Sequence, residues 1–308
     1  MVLSNGKPYE LQGYDYLCDP KSGNALAVRR STGEVSDAVT VTVPIGTTWL
    51  TPEQQEAQNE RRKKKQDFYE QKSRLDMLGE FSFVSAKQRF EGISPETAAR
   101  LVYLSTYLRT DPSQALFSTQ RTKMTRYDLP SIMGLSRRTA DRFLDEASQE
   151  YIVLDDDGHL SLNAALFCRG KIGRHGESLS WRKVYVSAVR NVYRAANGKH
   201  RYLGYVFQMI PFINIQYNIL CENIFERDLD NIQQMTDKDF CREIGYDYSQ
   251  IARLRKVYKN IRFEVDGRME AFCAFVDAGC GTRIYVNPHI LYSGTRPDLV
   301  EVLGSFCK

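Results

Sequence analysis

Apolar residues recur along this 308-residue chain at two spacings, and the changes of spacing divide it into pieces. Between residues 10 and 45, the runs YDYLC, ALAVR and VSDAVTVTV are separated by DPKSGN and STGE, while Val39, Val41 and Val43 alternate with threonine. Alternation bounded by turn residues predicts a small antiparallel meander. A unit of about 40 residues is marginal alone and leans on something else.

Thr51-Pro52-Glu53-Gln54 opens a helix, with a hydroxyl cap, proline at the first helical position and glutamine three residues after the cap. The segment beyond it is polar almost all round until Phe68, which predicts an exposed connector rather than a core element.

From Ser94-Pro95-Glu96 the period becomes helical, with Ala98, Leu101, Val102, Leu104, Ser105 and Leu108 on the inward side. ALFS reads as a strand. Thr125 caps a helix over RYDLPSIM that stops at Gly134, and Ser136 caps the next, with Ala140, Phe143, Leu144, Ala147 and Tyr151 inward. IVL and HLSL, around Asp155-Asp156-Asp157-Gly158, make a hairpin. Helix, strand, helix, tight turn, helix, hairpin is the order of a winged helix-turn-helix, with an unrelated small α/β fold as the alternative.

The order then returns. A helix carries Leu203, Val206, Phe207 and Ile210 inward, and NILCEN reads as a strand. Thr236 caps a helix ended by Gly245. Asp247 caps another with Ile251, Leu254, Tyr258 and Ile261 inward. MEAFCAFV and TRIYVNP come next as strands. The two turn glycines, at 134 and 245, lie 111 positions apart. The predicted fold class is α+β, with two winged helix-turn-helix domains in tandem preceded by a small antiparallel β meander and a polar connector helix. The expected boundaries are 1–50 for the meander, 51–93 for the connector helix, 94–168 for the first winged domain, 169–198 for a basic linker and 199–308 for the second winged domain.

Composition adds limits. No stretch approaches the roughly 20 apolar residues that cross a bilayer, so no membrane partner is expected. MVLSNGKPYELQ has no charged-then-apolar leader pattern, which points to a cytoplasmic protein. The seven cysteines are scattered without a C-x-x-C pair, fitting reduced, mostly buried thiols rather than a disulfide frame or zinc site. Net charge is only +4, but residues 1–60 carry four Lys/Arg against eight Asp/Glu, leaving 38 against 30 in the remainder. A basic body with an acidic head points toward a polyanionic partner.

The most one-sided charge lies between Tyr248 and Phe263, which holds Arg253, Arg255, Lys256, Lys259 and Arg262 and no acid. Removing the inward stripe leaves Ser249, Gln250, Arg253 and Lys256 facing out, as the base-reading face of a recognition helix over 248–260 in a DNA major groove. Gln250 can pair with adenine and Arg253 with guanine. Arg255, Lys259 and Arg262 suit phosphates. In the first copy Arg137, Arg138, Thr139 and Arg142 stand at the corresponding helix start, but Asp141, Asp145, Glu146 and Glu150 come after them. That domain either reads DNA by its helix tip or serves dimerisation. Arg61, Arg62, Lys63, Lys64 and Lys65 form either a solvated helix face or a phosphate-contacting patch. Arg174 and Lys183, in RGKIGRHGESLSWRK, belong to a linker draped over a minor groove or to a mobile loop.

The stretch from Lys199 to Gly294, with LGYVFQMIPFINIQYNILCEN, a helix-turn-helix and RIYVNPHILYSG, resembles the winged-helix replication proteins of Gram-positive plasmids and phages. The resemblance covers about a third of the chain and implies origin or operator binding on a mobile element, with a homodimer as one form. This chain departs from simple members by carrying a second winged unit and a meander before the matching part.

Enzymatic signatures are missing. The histidines, 159, 175, 200 and 289, are mutually distant, so the histidine pair of a DNA-nicking initiator is lacking, and no P-loop or G-x-S-x-G occurs. No catalytic residue, metal or cofactor is expected. The leading expectation is a sequence-specific binder of double-stranded DNA in replication initiation or transcription regulation. The alternative is a protein-interaction module that docks a replication, transcription or host defence protein.

Overall fold

The computed structural model describes residues 14–18, 25–36, 52–87, 90–110, 113–148, 150–170, 180–277, 279 and 281–307. The chain divides into two compact units, Met1–Glu70 and Gln71–Lys308. In the first, β1 (Tyr14–Cys18), β2 (Ala25–Arg29) and β3 (Val35–Ser36) pair antiparallel in that order, Tyr14 facing Arg29 and Val28 facing Val35. The valine alternation at 39–43 and the Thr51 cap lie outside the described residues. The long polar helix α1 (Pro52–Asp76) starts in this unit.

Unit Gln71–Lys308 is mixed α+β with small antiparallel sheets. It opens with β4 (Phe81–Ser85), α2 (Pro95–Ser105), α3 (Leu129–Met133), α4 (Arg137–Ala147), β5 (Ile152–Leu154), β6 (Leu160–Leu162) and β7 (Phe167–Cys168). It continues with β8 (Trp181–Tyr185), α5 (Val186–Ala195), α6 (His200–Phe207), α7 (Asp237–Glu243) and α8 (Ile251–Asn260). The chain closes with β9 (Arg262–Val265), β10 (Arg268–Ala271), β11 (Cys273–Asp277), β12 (Thr282–Val286) and α9 (Pro297–Ser305).

Two expected boundaries do not fall where the charge pattern placed them. Residues 81–85, assigned to the connector, form the centre of the β7-β4-β8 sheet, with Phe81 facing Tyr185 and Phe83 facing both Lys183 and Cys168. The end of the supposed linker is therefore strand and helix. β8 buries alternate residues, and α5 buries Val186, Ala188, Val189, Val192 and Tyr193 at helical spacing. Burial of apolar area outweighs the local charge, and one continuous core runs from Val84 to Val300.

Its centre is the crossing of α2 and α6. α2 is buried nearly all round, from Thr97 through Ser105 except Arg100, because neighbours cover it on several sides. Gly204 on α6 lies so close to the Pro95 carbonyl that a Cβ there would overlap it. Each of the two central helices carries one later helix. Glu146 near the end of α4 accepts from Thr97 Oγ1 at 2.6 Å and from Ser94 Oγ at 3.1 Å, at the start of α2. Tyr258 on α8 donates its hydroxyl to the Tyr202 carbonyl on α6 at 2.9 Å. Burial pushes the Glu146 carboxyl up, but the bonds from Thr97 and Ser94 outweigh it and its pKa ends below the ordinary value.

The 111-residue repeat is built in matching atoms. Thr125 donates N–H and hydroxyl to Asp128 Oδ2 at 2.7 and 2.9 Å, and Thr236 does the same to Asp239 at 3.0 and 2.6 Å. Gly134 and Gly245 both take left-handed φ, 63° and 64°, ending α3 and α7. Ser136 and Asp247 then cap the next helix or 3-10 turn. Thr236 completes a capping box at α7, whereas Thr125 caps a turn and α3 begins only after Asp128, next to Pro130. The hairpins also correspond. Ser161 of β6 bridges to Ala115 in ALFS, and Tyr285 of β12 bridges to Ile219 in NILCEN. The second half carries an extra hairpin, β9-β10, turned at Asp266 and Gly267 with φ 48° and 75°. Such positive values suit the tight turn of a two-residue hairpin.

Candidate nucleic-acid interface

A 3-10 turn, Tyr248–Gln250, runs straight into α8. Asp247 accepts from the Ser249 amide at 2.9 Å and the Ser249 hydroxyl at 2.8 Å, and these bonds hold its carboxyl below the ordinary range. Leu254 and Tyr258 are buried, and burial pushes the Tyr258 phenol well up. Opposite them Ser249, Gln250, Arg253, Lys256 and Lys259 are exposed. The helix is thus anchored by an apolar stripe and presents cations and amide groups outward.

Two residues expected on that face lie elsewhere. Arg255 turns to the protein: it pairs with the buried Asp237, donates to Thr282 Oγ1 at 2.7 Å and lies 5.6 Å from the Phe275 ring centroid. With its Nη2 spent on Asp237 and Thr282, the Arg255 side chain turns away from the outward face and holds α8 onto α7 and β12. Arg262 is exposed but stands on β9, past the helix end at Asn260, where it donates to the Met269 carbonyl at 3.2 Å. Ile261 takes extended backbone, φ −82° and ψ 99°, and so ends the helix before Arg262.

In the first half Arg137, Arg138 and Arg142 are exposed on α4, whereas Thr139 is half-buried and shares a 2.8 Å hydroxyl contact with Ser136 in the cap. The acids that the sequence set against them are partly withdrawn. Asp141 pairs with Arg126 at 2.8 Å, and Glu146 seats α4 on α2. Arg142 and Arg253 occupy equivalent places, 111 positions apart, each preceding a buried residue, Phe143 and Leu254.

Arg61, Arg62, Lys63, Lys64 and Lys65 are all exposed on α1, with Lys64 3.6 Å from Glu60. Lys183 is not on a loop: it sits in β8, 4.8 Å from the Phe81 ring centroid, and burial lowers its pKa. That placement removes it from the expected phosphate set. Arg174 lies outside the described residues. Tyr248, 44% exposed beside Ser249, extends the outward face beyond the residues picked from sequence. Its signal was position three residues after Gly245 rather than charge density.

Among the described residues no helix is long and apolar enough to cross a membrane. Burial pushes the thiols of Cys168, Cys221 and Cys241 up to about 11 and that of Cys307 to about 12, leaving them poor nucleophiles. The chain matches no protein-family model, no curated protein and no solved structure.

Proposed function

We propose that the chain is a sequence-specific binder of double-stranded DNA, built from two winged helix-turn-helix units in tandem. It acts as a replication initiator or transcription regulator of a plasmid or phage, without chemistry of its own. The observation that carries this reading is the face of α8: Gln250, Arg253, Lys256 and Lys259 project together from a helix whose other side is fixed by Leu254, Tyr258 and Arg255. A rigid rod with donors at its N-terminal end and cations farther along matches the major groove, where bases are read first and phosphates hold register. The replication and mobile-element part rests on the resemblance of residues 199–294.

The equivalent place of Arg142 on α4 supports reading by both units rather than dimerisation through the first. A protein-docking role for the first unit draws support from one feature, the exposed Val153 and Leu154 on β5. β5 is hydrogen-bonded on one side only among the described strands, by β6.

Selection of bound fragments from random duplex DNA tests the reading. Capture of an enriched motif is expected, with affinity falling steeply as salt rises because neutralised phosphates release counterions. Absence of duplex capture at low ionic strength, together with a stoichiometric protein partner that survives nuclease treatment, would favour docking instead.

A further inference from the structure

At the C-terminal end of α2 the surface opens into a cleft of about 710 Å³, within the size range of small-ligand sites. Such sites are mostly apolar, whereas three arginines from separate parts of the chain converge here: Arg109 after α2, Arg169 after β7 and Arg190 on α5. We infer that this cleft binds a phosphoryl group, held by the guanidinium groups of Arg109, Arg169 and Arg190.

Arg190 and Arg169 are each fixed by two hydrogen bonds. Arg190 donates from Nε to Thr106 Oγ1 at 2.9 Å and from Nη2 to the Thr106 carbonyl at 2.8 Å. Arg169 donates from Nη1 to the Leu108 carbonyl at 3.0 Å and from Nη2 to Glu80 at 2.5 Å. Arg109 makes a single bond, 3.3 Å to the Thr119 carbonyl. A guanidinium carries five N–H donors, so the protein's own acceptors use a minority of each. Capping carbonyls at the end of α2 accounts for Arg190 and Arg169. It does not account for Arg109, which reaches across to the 117–120 loop instead.

Charge and shape favour an anion. Glu80 is the one carboxylate among the described lining residues, and Arg169 already pairs with it. The guanidinium forks of Arg190 and Arg169, each held by two bonds, suit the tetrahedral oxygens of phosphate, and pre-fixing them lowers the entropy lost on binding. The aromatic surfaces argue against recognition of a base here. Arg190 lies 4.1 Å from the centroid of the Tyr107 ring and Arg109 4.8 Å from that of Phe117, so both rings already carry a cation. None of these residues lies on α4, α7 or α8, and the inference stands whether or not those helices read DNA.

Calorimetric titration of the full chain with pyrophosphate at low ionic strength tests it. Saturable binding at one site is expected, weakened about tenfold or more in Arg109→Gln, since a charge-assisted hydrogen bond of this kind is worth at least that factor. Arg190→Lys keeps the charge but removes the fork and is expected to weaken binding as well, with a melting curve confirming that each variant folds. Arg253→Ala is expected to bind pyrophosphate like the parent. Displacement of pyrophosphate by a 5′-phosphorylated single strand, but not by its unphosphorylated counterpart, would identify a nucleic-acid end as the source. Displacement by neither would identify a free phosphate compound. The inference is overturned if pyrophosphate shows no saturable binding, or if Arg109→Gln and Arg190→Lys both bind it as tightly as the parent.

Discussion

Two neighbouring arginines on α8 illustrate how one turn of helix separates a packed side chain from an outward one. Arg253 is exposed, while Arg255 is tied to Asp237, whose side chain is 4% exposed. Truncating Arg255 leaves a buried carboxylate unpaired, a change that costs about 3 kcal/mol. Arg255→Ala is therefore expected to lower the unfolding free energy in urea by about that amount while leaving the preferred DNA sequence unchanged at temperatures where it folds. Histidine 200 offers a second residue-level test. Burial, then the Arg100 charge, lowers its pKa to about 4, and its ring stacks 3.9 Å from Tyr193. Its folded pKa is thus below the unfolded value of about 6.5. The stability it contributes as a neutral ring is full above that value and is lost as pH falls toward 4. His200→Gln is expected to flatten the fall in melting temperature between pH 6.5 and 4, and an unchanged slope would contradict a buried neutral imidazole.

At the scale of elements, the crossing of α2 and α6 depends on a missing side chain. Gly204→Ala places a methyl against the Pro95 backbone carbonyl, which cannot rotate away, and overpacking of this kind costs about 1–3 kcal/mol. A lowered urea midpoint of the Gln71–Lys308 unit, with the slope of the transition unchanged, is the expected sign. Much of this layer was legible in the sequence, because caps and turn glycines act locally: Ser94, Ser136, Thr236 and Asp247 mark starts, and Gly134 and Gly245 mark stops. The features that were not legible depended on distant partners. Lys183 and Arg182 made β8 look like a basic linker, yet Arg182 is fully buried and donates to the Ile213 carbonyl at 3.1 Å. Burial lowers its pKa to about 10, still high enough to keep its charge at neutral pH. The inward turn of Arg255 depends on Asp237, eighteen positions earlier, a first-turn acid of α7 that nothing in the local sequence marks as its partner. Phe81 and Phe83 sat directly after a polar helix, so their strand was hidden in the connector.

For the molecule as a whole, the packing order α4, α2, α6, α8 sets the geometry of any DNA site. Helix axes in contact lie about 8–10 Å apart, so the three successive contacts set an upper limit of about 30 Å on the separation of α4 and α8. Both helices can therefore lie along one duplex within a single turn of roughly 34 Å. If both helices read, the selected site has two parts no more than one turn apart, bound by a single protein chain, and an Arg142→Ala variant weakens preference only in one of them. The measurement that tests the central claim most directly compares the parent with Arg253→Ala on the best selected duplex and on each of its single-base variants. Arg253→Ala is expected to lose about 1–3 kcal/mol on the best site and to relax preference at one base pair alone. Equal tightness and equal selectivity in the two proteins would contradict the assignment of α8 as the reading helix.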